Sequence, residues 1–306
     1  MLLVVGSVAL DSVETPFGAR EEVLGGSATY FSAAASLLTP VSVVGVVGED
    51  FPLAQLEFLR ARGVSLEGLE RVRGKTFRWK GRYGFDLNTA QTLDTQLNVF
   101  ADFEPKLDER AQKADRVFLG NIDPVLQMRV LDQVQRPKLV CADTMNFWIE
   151  GKRDALLRLL PRIDVLLVND AEARQLAGEA NIVKAAAAIE QMGPRAVCIK
   201  RGEYGAFLIS GKEAFYAPAF PLAAVADPTG AGDTFAGGFL GLLDRLGKDD
   251  LRDLRQAVVM GCTIASFTVE AFSLDRLRDL TLAEVRARYQ RFRELTEFEN
   301  LHASIA

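Results

Sequence analysis

Short, continuous apolar runs punctuate this chain. Leu2–Ala9, Val41–Val47, Arg116–Leu119, Lys138–Ala142, Asp164–Val168 and Ala196–Ile199 are of this kind, and stretches with apolar residues at helical spacing separate most of them. A run that is apolar at most positions belongs to a strand buried on both faces, as in a parallel sheet covered by helices. The alternation predicts an α/β fold with a mainly parallel sheet. Ser27–Leu38, Asp233–Leu246 and Leu251–Glu270 read as its helices, with another starting near Pro52 and an amphipathic helix over Thr281–Phe298. Ala206–Ser210 and Glu213–Ala217 read as a hairpin around Gly211-Lys212.

Two segments break the rhythm. Residues 12–24, with Pro16 and Gly18, suit an extended excursion away from the sheet. Thr76–Tyr83 alternates polar with large or aromatic residues, the period-two pattern of a strand wet on one face, and Thr95–Ala101 alternates again. Together the segments at about 12–24 and 72–104 predict a small separate sheet inserted into one domain spanning 1–306.

Composition narrows the function classes. The 306 residues are 49% hydrophobic and 25% charged, with a net charge of −5. That balance argues for a soluble protein and against a nucleic-acid or anionic-membrane partner. No membrane-spanning run or signal peptide is visible, which predicts a cytoplasmic protein. Cys141, Cys198 and Cys262 are far apart in apolar runs and read as core thiols. His302 is the one histidine and lies in the tail, so base catalysis falls to a carboxylate or a lysine.

The chemistry concentrates in Asp227-Pro228-Thr229-Gly230-Ala231-Gly232-Asp233-Thr234-Phe235. Helical spacing downstream makes Gly230-Ala231-Gly232 the opening of a helix. Its first N–H groups lack internal partners and the dipole adds positive potential, so glycine-lined backbone there forms a phosphate cradle. Asp233 at the mouth of that cradle would repel phosphate. Accepting a proton from a hydroxyl that attacks a phosphoryl group gives it a role. The helix start should favour its ionised form, a ready but weak base. The plain alternative is an ordinary helix start.

The longer run D-P-T-G-A-G-D-T-F-A-G-G-F resembles the C-terminal signature of the ribokinase-like (PfkB-type) carbohydrate kinases, and the resemblance extends from Asp11 to Glu270. It implies a three-layer α/β/α fold with a small β-sheet lid that sometimes forms a dimer contact. It also implies ATP-dependent phosphorylation of a sugar or sugar-like hydroxyl, with Asp233 as base and the 230–232 amides as anion hole. Asp11, Gly25, Gly26, Asn121, Asp143 and Asn146 then face the acceptor. Tyr30 stands where many members carry Asn, adding an aromatic face or shrinking the pocket. Asn169, Lys200, Gly202, Gly205 and Thr229 fall on the ATP side, with Glu172 near Mg2+. A K+ site occurs in many members at the turn after the 251–270 helix. Each residue also has a structural reading: a turn for Asp11, a capping box for Asn169-x-x-Glu172, solvated charge for Lys200. Nucleoside or inositol-type kinases of the same family, and a non-catalytic sugar or nucleotide sensor, are the alternatives.

Overall fold

A computed structural model describes residues 1–299, so His302 lies outside the described residues. The chain begins β1 (Leu2–Val5), β2 (Ala9–Thr15), β3 (Gly18–Gly25), α1 (Ser27–Ala35), β4 (Val41–Gly48), α2 (Glu57–Ala61), β5 (Ser65–Val72), β6 (Arg78–Tyr83) and β7 (Ala90–Gln96). It continues β8 (Arg116–Leu119), α3 (Pro124–Leu131), β9 (Leu139–Asp143), α4 (Asn146–Gly151), α5 (Arg153–Leu159), β10 (Val165–Asn169), α6 (Asp170–Ala177) and α7 (Ile182–Glu190). It ends β11 (Ala196–Lys200), β12 (Ala206–Ser210), β13 (Glu213–Ala217), α8 (Ala231–Leu246), α9 (Leu251–Thr268), α10 (Asp275–Asp279) and α11 (Leu282–Thr296).

One sheet has the order β13-β12-β11-β10-β9-β8-β1-β4-β5 and is parallel except where β12 runs against its neighbours. Leu2 and Val4 of β1 enter one apolar layer with Phe31 of α1, Phe239 of α8 and Leu254 of α9. Leu3 and Val5 enter the other, with Val130 of α3, Leu156 of α5, Leu176 of α6 and Ile189 of α7. Both sheet faces are therefore covered, which is why the strands are apolar at nearly every position. Phe31 and Phe118 stack at 4.4 Å in the first layer, and burying each such ring contributes about 1.5–3 kcal/mol. The result is the expected three-layer α/β/α arrangement.

A second sheet, β3-β2-β6-β7, holds the period-two segments. Its β7 is exposed along its whole length, so hydrophobic patterning is weak there. Three details depart from the sequence reading. Leu2–Ala9 is not one strand: the chain leaves the large sheet after Val5, and Asp11 lies within β2 of the small sheet. Ser7 and Ser27 exchange hydrogen bonds at 3.0 and 3.1 Å, tying this break to the start of α1. The strand expected over Thr95–Ala101 is shifted to β7, and Asn98–Asp102 forms a 3-10 turn that buries Phe100 against Phe77 and Phe103. Finally, β5 gave no sequence signal. Its apolar residues Leu66, Leu69 and Val72 are three apart because its pairing with β4 is irregular near Gly68.

Candidate active site

The carboxyl ends of the adjacent strands β9, β10 and β11 gather the polar residues, the end of an α/β sheet where ligands bind. Asp143 ends β9, Asn169 ends β10 and Lys200 ends β11, with Asn169 and Lys200 in register. Lys200 Nζ donates to Asp143 Oδ2 at 2.7 Å. A Cβ on Gly232 would lie 3.1 Å from the same ammonium, so Lys200 sits against the first turn of α8. Asp143 and Glu172 hold the Lys200 ammonium in its charged form, raising its pKa against the cost of burial.

Gly230 precedes α8 with φ 73°, a left-handed conformation that glycine adopts without strain. A Cβ there would meet the Tyr30 ring at 2.4 Å. The first turn departs from the expected anion hole in one respect. The Ala231 amide donates to Pro228 O at 3.2 Å, closing a turn. The amides of Gly230, Gly232 and Asp233 have no acceptor among the described residues and are left for an anion.

Burial, then Asp143, push the Asp233 carboxyl up to about 7, while Lys200 pulls it down. This reverses the expectation of a helix-stabilised, weakly basic carboxylate. A helix end is worth about 0.3–1 kcal/mol at an exposed position, whereas each pKa unit is about 1.4 kcal/mol. Desolvation is the larger effect here, and it makes Asp233 a better base near neutral pH.

Asn169 and Glu172 form the capping box of α6. Glu172 N donates to Asn169 Oδ1 at 2.8 Å and Asn169 N to Glu172 Oε2 at 2.7 Å. Glu172 is buried, and burial followed by Asp143 raises its carboxyl to about 8, with Lys200 opposing. The structural reading of this motif is thus realised. It leaves the second Glu172 oxygen without a protein donor.

On the opposite side, Asp11 lies on β2 across from Val23, with its carboxylate beside Gly25. A Cβ at Gly25 would be 1.9 Å from Asp11 Oδ2, so only glycine lets the carboxylate lie there. Gly26, at φ 94°, begins α1, and a Cβ on it would clash with Ser7 O. Burial raises the Asp11 carboxyl to about 7, the Gly26 amide opposes this, and Asp233 and Asp227 raise it further. Tyr30 is fully buried beside these carboxylates, and its hydroxyl has no hydrogen-bond partner.

Several expected residues are engaged elsewhere. Asn121 Oδ1 accepts from Trp148 Nε1 at 2.9 Å. Asn146 is exposed, and its amide donates to Gln175 of α6. Gly205 makes the tight turn into β12, where a Cβ would strike Ala217 O. At Gly202 a Cβ would lie 2.1 Å from Asn88 Oδ1, so this loop receives the tip of the small sheet's β6–β7 hairpin.

Three residues escaped sequence reasoning. Asp227 is fully buried, and its carboxylate accepts from Thr229 N at 2.9 Å and Ser273 N at 3.1 Å, clamping the loop before α8 to the turn after α9. Ser273 holds that turn at φ 55°. Tyr83 ends β6, and Thr229 Oγ1 donates to its hydroxyl at 3.4 Å. The aromatic alternation of 76–83 was the available signal for Tyr83. Nothing in the sequence places Ser273 beside Asp227.

A profile of the pfkB family carbohydrate kinases matches residues 3–277. The chain belongs to that family. It is a phosphotransferase with a hydroxyl group as acceptor. Over 245 residues it is 29% identical to a cytidine kinase of Thermococcus kodakarensis, covering 78% of this chain and 87% of that protein. Among solved structures it superposes on a ribokinase II-type protein from Escherichia coli in complex with ATP and Mg2+, with a TM-score of 0.76 and 20% identity over 95% of this chain and 99% of that one. A nucleoside kinase of Burkholderia thailandensis in complex with inosine gives a TM-score of 0.75 and 21% identity over 95% and 98% of the two chains. No helix among the described residues is long and apolar enough to cross a membrane.

Proposed function

We propose that this kinase transfers the terminal phosphoryl group of ATP to a hydroxyl of a small polyhydroxylated acceptor, a sugar or a nucleoside. The observation that carries the proposal is the side-by-side placement of Asp233 and Lys200 with the free amides of α8's first turn. The acceptor hydroxyl lies between Asp233 and the terminal phosphoryl group. Asp233 takes its proton as the new O–P bond forms and the bond to ADP breaks. The Gly230, Gly232 and Asp233 amides stabilise charge on the transferring group, and Lys200 supplies a fixed positive charge beside it. Asp11 accepts a hydrogen bond from another acceptor hydroxyl. The small sheet acts as a lid over this space, excluding water that would otherwise consume ATP.

Among the described residues no cluster of three or more metal-ligating side chains exists. Mg2+ does not need one, because it keeps several waters and is held by one or two carboxylates together with phosphates. Buried Glu172, with an oxygen free of protein donors, and Asp143 fit that hard-oxygen requirement and are the residues that would hold it. The ion would neutralise charge on the phosphates. By resemblance K+ would lie at the turn that follows α9. Exchanging K+ for choline in the assay measures its part.

The test is ADP release over a panel of sugars, polyols and nucleosides, with Asp233→Asn alongside. One or more acceptors should support turnover, and the variant should lose it while still binding ATP. Binding of ligands without ADP release from any acceptor would favour a sensor.

A further inference from the structure

The small sheet carries a feature that the phosphotransfer reading does not use. Directly paired residues in a parallel ladder share a face, and β2 pairs with β6 so that Asp11 meets Trp79, Val13 meets Gly81 and Glu14 meets Arg82. Two contacts identify the face turned toward the catalytic loop. Thr15 Oγ1 donates to Ala226 O at 3.0 Å, and Tyr83 meets Thr229. Asp11, Val13 and Thr15 alternate along one face of β2, and Trp79, Gly81 and Tyr83 along the same face of β6. Trp79 is therefore next to Asp11, about 4.8 Å away strand to strand, on the inner face of the lid.

Its indole is fixed at two points. Nε1 donates to Thr92 Oγ1 of β7 at 3.2 Å. The far edge of the six-membered ring occupies the space a Cβ on Gly81 would take, 2.0 Å from that position. Gly81 and Thr92 are themselves paired, so the ring lies along the sheet surface over Gly81, on the face that carries Asp11. Trp79 is only half-buried, so this flat apolar surface is available. A core tryptophan would be covered.

We propose that Trp79 is a stacking platform for the acceptor, and that the acceptor is a nucleoside. Its planar base lies on the indole while its ribose hydroxyls reach Asp11 and Asp233. Every base has a π-face, so stacking gives affinity without choosing among bases. This rests on the phosphotransfer reading for its chemistry, but the stacking contact can be measured without turnover.

The experiment compares cytidine, uridine, adenosine and inosine with D-ribose and myo-inositol. Wild-type protein should show kcat/KM for nucleosides about tenfold or more above that for the acceptors without a base. Trp79→Ala should raise nucleoside KM by about tenfold or more and leave that for ribose unchanged. Trp79→Phe should keep most of the nucleoside preference. Ribose or inositol used as well as any nucleoside, or an equal loss for all acceptors in Trp79→Ala, would overturn the proposal. If no acceptor releases ADP, the phosphotransfer reading fails, and binding decides the platform separately. Trp148→Phe leaves Trp79 as the sole tryptophan, and its emission should be quenched by nucleosides but not by ribose. Unchanged emission with all four nucleosides would remove the platform.

Discussion

At the strand ends of the site, Asp143, Glu172 and Asp233 share the one ammonium of Lys200. On the lid side, Asp11 and Asp227 face Tyr30 and Tyr83, and Asp11 feels only burial, an amide and other carboxylates. The strand-end side keeps a cation, as a place for phosphate must. No cation is among the groups that shift Asp11, and under the proposed function the acceptor answers these carboxylates with hydroxyl donors. In the proposed function the same residue type thus serves an anion on one side and a neutral polyol on the other.

The largest expected effect lies where the two sides meet. Asp233→Asn should lower kcat by at least about 10²-fold, with ATP affinity by calorimetry changed only slightly. A variant that kept its rate would detach Asp233 from proton transfer. Lys200→Met should be the most destabilising change. Breaking a buried ion pair costs about 3–5 kcal/mol, read from urea unfolding at pH 8. Asp11→Asn under the same conditions should leave stability equal or higher, because it removes a repulsive charge, while acceptor KM rises. Equal destabilisation by the two variants would erase the contrast.

Proton linkage sharpens the comparison further. Burial pushes the Asp11 and Asp233 carboxyls up to about 7 and that of Glu172 up to about 8, all above their unfolded values. A carboxyl whose folded pKa is raised binds its proton more tightly when folded. Its stabilisation is complete below the unfolded pKa and is lost as pH rises through the folded one. Stability of the free enzyme should therefore fall from about pH 4 to about pH 8, by thermal melts. Over the same range kcat/KM should rise about tenfold per pH unit and level off above about 7, as Asp233 ionises. Parallel rather than opposed trends would count against Asp233 as the base. The smallest effect is Gly25→Ala, whose Cβ would collide with Asp11 Oδ2. Acceptor KM should rise about tenfold, an effect of about 1.4 kcal/mol, with little change in KM for ATP.

Legibility in the sequence followed burial. Strands of the large sheet such as Leu2–Val5 and Val165–Asn169 were readable because both faces are covered and nearly every position must be apolar. The opening of α8 was readable because its glycines and Asp233 are adjacent in the chain. Edge strands were harder. β5 pairs irregularly, and β7 buries none of its residues, so neither keeps a clean period.

The amino-acid order alone determined the α/β class, the glycine-lined start of α8 and the carboxylate beside it, since each depends on local spacing or on continuous burial. Only the tertiary structure decided that Lys200 is paired with Asp143, that Asp227 is clamped by Ser273, and that Asp233 titrates near neutrality. It also decided that Trp79 and Tyr83 share a face with Asp11. These outcomes depend on distances between residues far apart in the chain and on how much water the folded chain leaves around them, and neither is written in any local pattern.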